Sequence, residues 1–502
     1  MKTGIKNPLV HSVLITASGL MLTGRVTAQT FTTLHSFTAP SGPYGTNSDG
    51  QNPSASLMFS TNTLFGTTYN GGSSGQGTAF RINTDGTGFT NLHSFTLPAE
   101  NANGQLTNSD GRNPSASLIS ADNTLYGTTS LGGGSSKGIV FKVNIDGTGF
   151  TNLHSFTTTP AFPGPYTNSD GANPTAGLIL SGDTLYGTTE SGGGSGRGTV
   201  FAINVNGSAF TNLYSFTGGI DGAGPQACLV LSGNILYGAA SYGGSSDKGT
   251  VFSVTTNGTG FTNLHSFTAL SGSSGSSNTD GANPIAGLIL SGNTLFGTAE
   301  YGGSSGKGTA FRINTDGTGF TNLHNFTKDI YNGVTYTNGD GADLRTGLIL
   351  SGNTLYGAAS GGGLSGEGTL FRLNTDGSGF TNLHSYTMGN TTNGDGAHPT
   401  GLTLAGNTLY GTTGSGGNSG NGTVFGLSFP PKLTVIPSGA YVILTWPTNF
   451  AGFDYAGFTL QSTTNLVSSL WTTNSTAPVV VTGQNTVTNP ISGAQEFYRL
   501  SQ

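Results

Sequence analysis

Residues 150–157 read Phe150-Thr151-Asn152-Leu153-His154-Ser155-Phe156-Thr157, and this phrase or a near copy starts again at Phe31, Phe89, Phe210, Phe261, Phe320 and Phe380. The starts lie roughly 60 residues apart, with one short interval of about 51 after Phe210. Outward from the phrase, each copy runs through Asp-Gly-x-Asn-Pro, a Gly-Leu-Ile-Leu-like run and Ser-Gly-Asn-Thr-Leu-Tyr-Gly-Thr-Thr. A Gly/Ser cluster and Gly-Thr-Val-Phe-Arg-Ile-Asn-Thr-Asp-Gly, or a variant of it, complete the unit. A unit of this length repeated seven times makes one architecture, not several unrelated domains.

Each copy predicts four short strands. In the copy starting at Phe150 they are 150–157, 175–180, 184–189 and 199–204, rich in β-branched and aromatic residues and bounded by turn residues. Ser181-Gly182-Asp183 is a tight hairpin signal, as is the run from Asn83 to Gly88. No stretch has helical periodicity. Four-stranded units of this size are expected to form propeller blades, whose radial packing protects the sheet edges.

The ends of the array complement each other. The chain enters with a lone phrase at 31–38 and leaves after 422–429 with no phrase to follow. Pairing the two would complete a seventh blade and remove two open edges. The expected fold is therefore all-β: a seven-bladed propeller over 29–429, closed by its N-terminal strand. A β-solenoid is the rival and would need separate caps. In the closed version the strand after Asp-Gly-x-Asn-Pro lies nearest the axis, where small Ala55, Ala116, Ala176, Gly177, Ala286 and Gly287 suit the crowding. The Phe-Thr-Asn-Leu-His-Ser-Phe strand is then outermost.

The phrases Gly-Thr-Val-Phe-x-Ile-Asn, Asp-Gly-Thr-Gly-Phe-Thr-Asn-Leu-His-Ser-Phe and Leu-Tyr-Gly-Thr-Thr together resemble the GloVer tandem repeat of bacterial exported proteins. The resemblance covers about residues 31–429 and implies a propeller-like fold without an established activity. The copy starting at Phe210 departs most, with Tyr214 in place of His and no Asn-x-Asp-Gly insert. The sixth has Asp343-Leu344-Arg345 where others carry Asn-Pro.

Composition narrows the function. Charged residues make up 8% of the chain and the net charge is −6, with no basic stripe of the kind nucleic acid requires. The single cysteine, Cys228, excludes an intramolecular disulfide and a cysteine zinc cage. Lys2, Lys6, the apolar run Leu9 to Leu22 and Val26-Thr27-Ala28 read as an export signal, 1–28, cut after Ala28. No later segment is apolar enough to span a bilayer, so a secreted or cell-surface protein is expected. After Pro430-Pro431 the composition shifts: residues 430–502 hold both tryptophans, Trp446 and Trp471, and strands expected near 441–446, 458–462, 478–482 and 496–500. This segment resembles the fibronectin-like β-sandwich tails of secreted bacterial proteins.

Candidate chemistry is sparse. Six of the eight histidines (His35, His93, His154, His265, His324 and His384) sit in the phrase, one per copy, too dispersed for a shared metal. Their expected role is that of half-buried strand residues. The Asn-x-Asp-Gly-x-Asn loops offer Asp49, Asp110, Asp170 and Asp280 as calcium ligands, but one carboxylate per loop fits turn chemistry better. No other cofactor is expected. The run from Gly134 to Gly138 has the spacing of a hydrolase elbow yet leads into a strand, and the run from Gly302 to Lys307 is one residue short of a phosphate loop. Both are set aside.

Variation between copies is more informative. The Asp-Gly and Gly-Gly loops join strands at the same end, so they share one face. Around them vary Tyr69, Glu190, Tyr242, Glu300 and Tyr301, with Tyr44, Tyr166, Tyr331 and Tyr336 in the longer loops. Aromatics with scattered carboxylates on a ringed face suit a polysaccharide or a surface protein. The expectation is a non-enzymatic binding or structural module. The alternative is a carbohydrate-active hydrolase or lyase pairing Glu190 with Glu300, which needs carboxyls about 5 to 10 Å apart.

Overall fold

Why the repeated glycine of Leu-Tyr-Gly-Thr-Thr is needed is visible in any one sheet. Gly187 lies directly opposite Phe201 on the neighbouring strand. A Cβ there would stand 2.6 Å from the Phe201 ring and 2.8 Å from Leu178. The absent side chain lets the fully buried phenyl ring lie flat across the strand, and burying such a ring contributes about 2–3 kcal/mol. The same Gly–Phe opposition recurs at Gly66, Gly127, Gly238, Gly297 and Gly357.

The computed structural model describes residues 13–16, 29–102, 104–160, 166–271, 276–331, 333–389, 393–450, 452–455, 457–464, 470–491 and 495–501. The chain divides into two compact units. One comprises Thr32–Ala405 with Leu409–Gly426; the other holds Gly406–Thr408, Leu427–Gln502 and the described residues before Thr32.

Among the described residues the larger unit is a β-propeller-like array of seven antiparallel sheets of four or five strands. They are numbered by their strands Thr63–Asn70 (one), Thr124–Thr129 (two), Thr184–Thr189 (three), Ile235–Ala240 (four), Thr294–Ala299 (five), Thr354–Ala359 (six) and Thr408–Gly417 (seven). Sheet three is typical: Ile179–Ser181, Thr184–Thr189, Thr199–Asn204 and Thr211–Ser215 pair in that order. Three strands come from one copy and the fourth is the phrase of the next. Sheet seven combines Asn393–Ala405, Thr408–Gly417 and Thr423–Ser428 with the N-terminal Thr30–Ser36. The expected strand at 175–180 is shorter than the sequence suggests. Ala176 bonds across to the preceding sheet through Thr128 Oγ1 (3.1 Å), so in-sheet pairing begins only at Ile179.

Neighbouring sheets are joined by backbone bonds at equivalent points. Asn113 N donates to Gln76 O (2.8 Å), Asn173 N to Lys137 O (2.8 Å) and Asn283 N to Lys248 O (2.9 Å). Asn52 N of sheet one donates to Asn421 O of sheet seven (2.9 Å). Apolar clusters fill the spaces between sheets. Tyr126 and Val140 of sheet two pack with Phe156, Leu178, Leu185 and Phe201, while Phe37 and Val424 pack with Leu57, Leu64 and Phe80 of sheet one.

In the smaller unit, Thr434–Ser438, Tyr441–Pro447, Gln484–Pro490 and Val479–Val481 form one four-stranded sheet. Thr472–Thr473, Thr459–Thr463 and Gln495–Ser501 form another. Trp446, Leu444 and Tyr455 are buried there. The expected export signal lies outside the described residues except for Val13–Thr16, a strand paired with Gln495–Tyr498. Among the described residues no helix is long and apolar enough to cross a membrane.

Candidate functional site

The phrase histidine and the loop aspartate meet in every copy that has both. His154 Nε2 lies 2.9 Å from Asp170 Oδ2, and the same carboxylate accepts from Thr157 N (3.0 Å) and Thr157 Oγ1. Burial pushes the Asp170 carboxyl up, but the hydrogen bonds from His154 and Thr157 outweigh it and hold its pKa below the usual carboxylate range. Asp49, Asp110 and Asp280 are lowered in the same way, against the same upward push of burial. The rings of His35, His93, His154, His265 and His324 also stack on the first Phe of the following phrase, as His154 does on Phe210 at 3.8 Å.

A second device ties this clamp to the Gly-Gly loop. Asn168 Oδ1 accepts from Gly171 N (2.9 Å) and Gly193 N (2.8 Å), while its Nδ2 donates to Thr157 O (2.9 Å). The Asp-Gly and Gly-Gly loops therefore bond to each other at one end of the sheet. The four aspartates considered as calcium ligands have protein donors on their oxygens. Among the described residues no group of three or more His, Cys, Asp and Glu could hold a metal ion. Sequence reading missed the partners Asp221, Asp340 and Asp395, which do the same work in the remaining copies.

The five variable-loop residues fall in different places. Tyr69 and Glu190 line a cavity of about 580 Å³ to which all seven copies contribute, Ala55, Ala116, Ala176, Ala286 and Gly287 among them. Glu190 Oε1 accepts from Gln226 Nε2 (2.8 Å). Glu300 is buried and accepts from Arg345 Nε (2.8 Å). Burial, and then the hydrogen bond to Glu300, raises the Tyr301 phenol. Tyr242 and Tyr301 are exposed and do not line this cavity. Both glutamates thus have partners, and neither is a bare acid or base.

A second cavity, of about 780 Å³, lies among the loops of copies five to seven and sheet one. Its lining includes Lys307, Asp329, Tyr336, Asp343, Arg345 and His398. Lys307 forms an ion pair with Asp329, and His398 Nδ1 lies 2.8 Å from Ser415 Oγ. In the sequence the Asp343-Leu344-Arg345 departure shows only as a change from Asn-Pro within one copy. The signal missed was that His398 replaces the same repeat position one copy later. The run from Gly302 to Lys307 is a turn between strands Thr294–Ala299 and Thr309–Asn314, without a helix for a phosphate to cap.

The model of one repeat family matches this chain in three overlapping stretches, residues 17–164, 101–277 and 164–333. The chain belongs to the Gloeobacter/Verrucomicrobia repeat family. Solved structures similar to this family member include the GH74 enzyme of Niastella koreensis (15% identity, 90% of this chain and 71% of that one, TM-score 0.45). A putative 6-phosphogluconolactonase from Bacteroides uniformis is similar over 88% of this chain and 98% of its own, at 15% identity and TM-score 0.42. An oligogalacturonate lyase in complex with manganese follows at 9% identity, 76% and 90% coverage and TM-score 0.42. These likenesses are too distant to transfer an activity. No curated protein matches the chain.

Proposed function

We propose that this chain is an exported, non-enzymatic binding or structural module: a closed seven-bladed propeller that offers the variable loops of one face to a glycan or a surface protein. Closure is supported by the place of Thr30–Ser36 in sheet seven and by the bond from Asn52 to Asn421. The observation that carries the binding role is the set of exposed tyrosines on loops held by the repeated clamps. Tyr44, Tyr166, Tyr242 and Tyr331 are 73%, 50%, 49% and 58% exposed. Rigid scaffolds with aromatic loop tips are the usual construction of a recognition face. The paired state of Glu190 and Glu300 gives the hydrolase or lyase alternative no support.

The test is capture of polysaccharides and of outer-surface proteins on the immobilised mature chain, with Tyr69→Ala, Glu190→Gln and Tyr301→Ala variants. Capture that these changes weaken is expected. Absence of capture from both kinds of partner overturns the binding role.

A further inference from the structure

The residues that break the repeat are gathered in one place. At the position after Asp-Gly-x, four copies carry an asparagine in the left-handed region, Asn52, Asn113, Asn173 and Asn283, with φ between 54° and 57°. Each donates its side-chain amide to a carbonyl of the preceding sheet: Gly414, Tyr69, Ser130 and Ser241. Copies six and seven keep the backbone but change the side chain, to Asp343 (φ 59°) and His398 (φ 56°). A carboxylate has no proton to donate, so copy six gives up an inter-sheet hydrogen bond in a conformation that asparagine suits equally well. Arg345, two residues on, stands where the other copies have Ser54, Ser115, Thr175, Gln226, Ile285 and Thr400.

All three departures line the 780 Å³ cavity. The Asp343 carboxylate acts on Arg345 by its charge and has no hydrogen bond to another described residue, and the buried Ser54 Oγ, also on the lining, has no partner. Lys307 is neutralised by Asp329 and Arg345 by Glu300, so the pocket has no surplus cation for a phosphate, sulfate or uronate. At the rim, Tyr336 is 64% exposed and pairs across a two-stranded hairpin with Tyr331, ring centroids 5.1 Å apart. An open pocket of this size with an aromatic platform, a free acceptor and fixed ion pairs has the groups that bind a sugar: the ring takes the C–H face, the polar atoms take the hydroxyls.

We propose that the pocket bounded by Tyr336, Asp343, Arg345 and His398 binds a neutral oligosaccharide. The proposal rests on the binding-module function above and names its ligand class and location. Tyr336 stacks on one sugar ring and Asp343 accepts from two of its hydroxyls. Arg345, oriented by Glu300, and His398, oriented by Ser415, donate to others.

The test is titration of the mature chain with neutral tetraoses of β-1,4-glucan, β-1,4-mannan, β-1,4-xylan and α-1,4-glucan, beside tetragalacturonate and a heparin-derived tetrasaccharide. Asp343→Asn restores the residue of the other copies, so its melting temperature is expected to be retained. At least one neutral tetraose is expected to bind, about tenfold more weakly to Asp343→Asn and to Tyr336→Ala, while Asp85→Asn, on a turn outside the pocket lining, leaves it unchanged. Binding of acidic sugars alone, or of no sugar, overturns the proposal. Binding lost only in Tyr69→Ala or Glu190→Gln overturns it while leaving the broader binding role intact.

Discussion

Tyr214 places its hydroxyl 3.0 Å from Asp221 Oδ2, filling with a phenol the position a histidine takes in the other clamped copies. The aspartate comes only seven residues later here, against sixteen in the His154–Asp170 pair, yet it still accepts from Thr217 N (2.8 Å). Tyr214 also stacks on Phe261 at 4.0 Å, as His154 does on Phe210. Copy four therefore keeps the clamp with a changed residue and a shortened loop. What the fold requires is a ring with a polar tip, held against a buried carboxylate.

That requirement separates two substitutions. Asp170→Ala removes the acceptor of Thr157 N, Thr157 Oγ1 and His154 Nε2 and is expected to cost about 3 kcal/mol. His154→Tyr copies the arrangement of copy four and is expected to cost under about 1 kcal/mol. Urea midpoints at constant m-value decide between them. Equal losses for the two would mean that the clamp contributes only packing.

Acid should loosen the same clamps together. Asp49, Asp110, Asp170, Asp280, Asp340 and Asp395 all have pKa values below the usual one, because hydrogen bonds from His and Thr outweigh the upward push of burial. A carboxyl depressed in the folded state stabilises fully above its unfolded pKa of about 4, and that contribution fades as pH falls through the lower folded value. The carboxylate contribution to the urea midpoint is thus expected to hold down to about pH 5 and to drop steeply below about pH 4. Asp→Asn changes at several clamps should lower the midpoint at neutral pH and flatten this drop. An unchanged acid drop in such a multiple variant would move the cause elsewhere.

Much of this was legible in the sequence because the repeat shows which residues travel together. The strands near 184–189 and 199–204 and the Ser181-Gly182-Asp183 turn follow from local pattern, whereas small residues such as Ala176 and Gly177 precede the strand in which the sequence placed them. The His–Asp clamp was not legible, since histidine and aspartate sit in separate segments and each has a sufficient local explanation. Their joint recurrence, together with Tyr214 and Asp221, is the signal that would have coupled them. Arg345 and His398 were hidden for another reason. Each reads as erosion in its own copy, and only the packing of sheets brings them to one pocket.

Overpacking should reveal the fixed glycine. Gly187→Ala puts a methyl group against Phe201 and Leu178 at under 3 Å and is expected to cost about 1–3 kcal/mol, with Gly187→Val worse. Gly182→Ala, at a turn where a Cβ meets nothing, tests the contrast: only its φ of 57° opposes the change. Thermal melts of the three variants should rank Gly182→Ala highest. A neutral Gly187→Ala would show that the phenyl ring can move aside.

Cys228 offers a direct probe of the first cavity, which it lines. Burial pushes its thiol up, against the hydrogen bond from Gly177 N (3.1 Å). Because the thiolate is the reacting form, disulfide reagents at pH 8 are expected to label it more slowly than a free cysteine. Urea should restore the ordinary rate. Fast labelling in the native state would mean that the cavity opens readily.

The N-terminal strand tests closure itself. Removing residues 29–37 strips sheet seven of its outer strand and takes Phe37 from the cluster with Leu57, Phe80 and Val424. The loss of Phe37 alone should cost about 3–5 kcal/mol. In a linear stack each unit depends on its neighbours, so sheets three and four, far along the chain, would keep their hydrogen-exchange protection. In a ring, the break leaves sheets one and seven less securely joined and weakens one cooperative structure. The expected result is a fall in protection at Tyr186, Phe201 and Phe252 as well as near the cut. Protection that falls in sheets one and seven alone would make the array a stack.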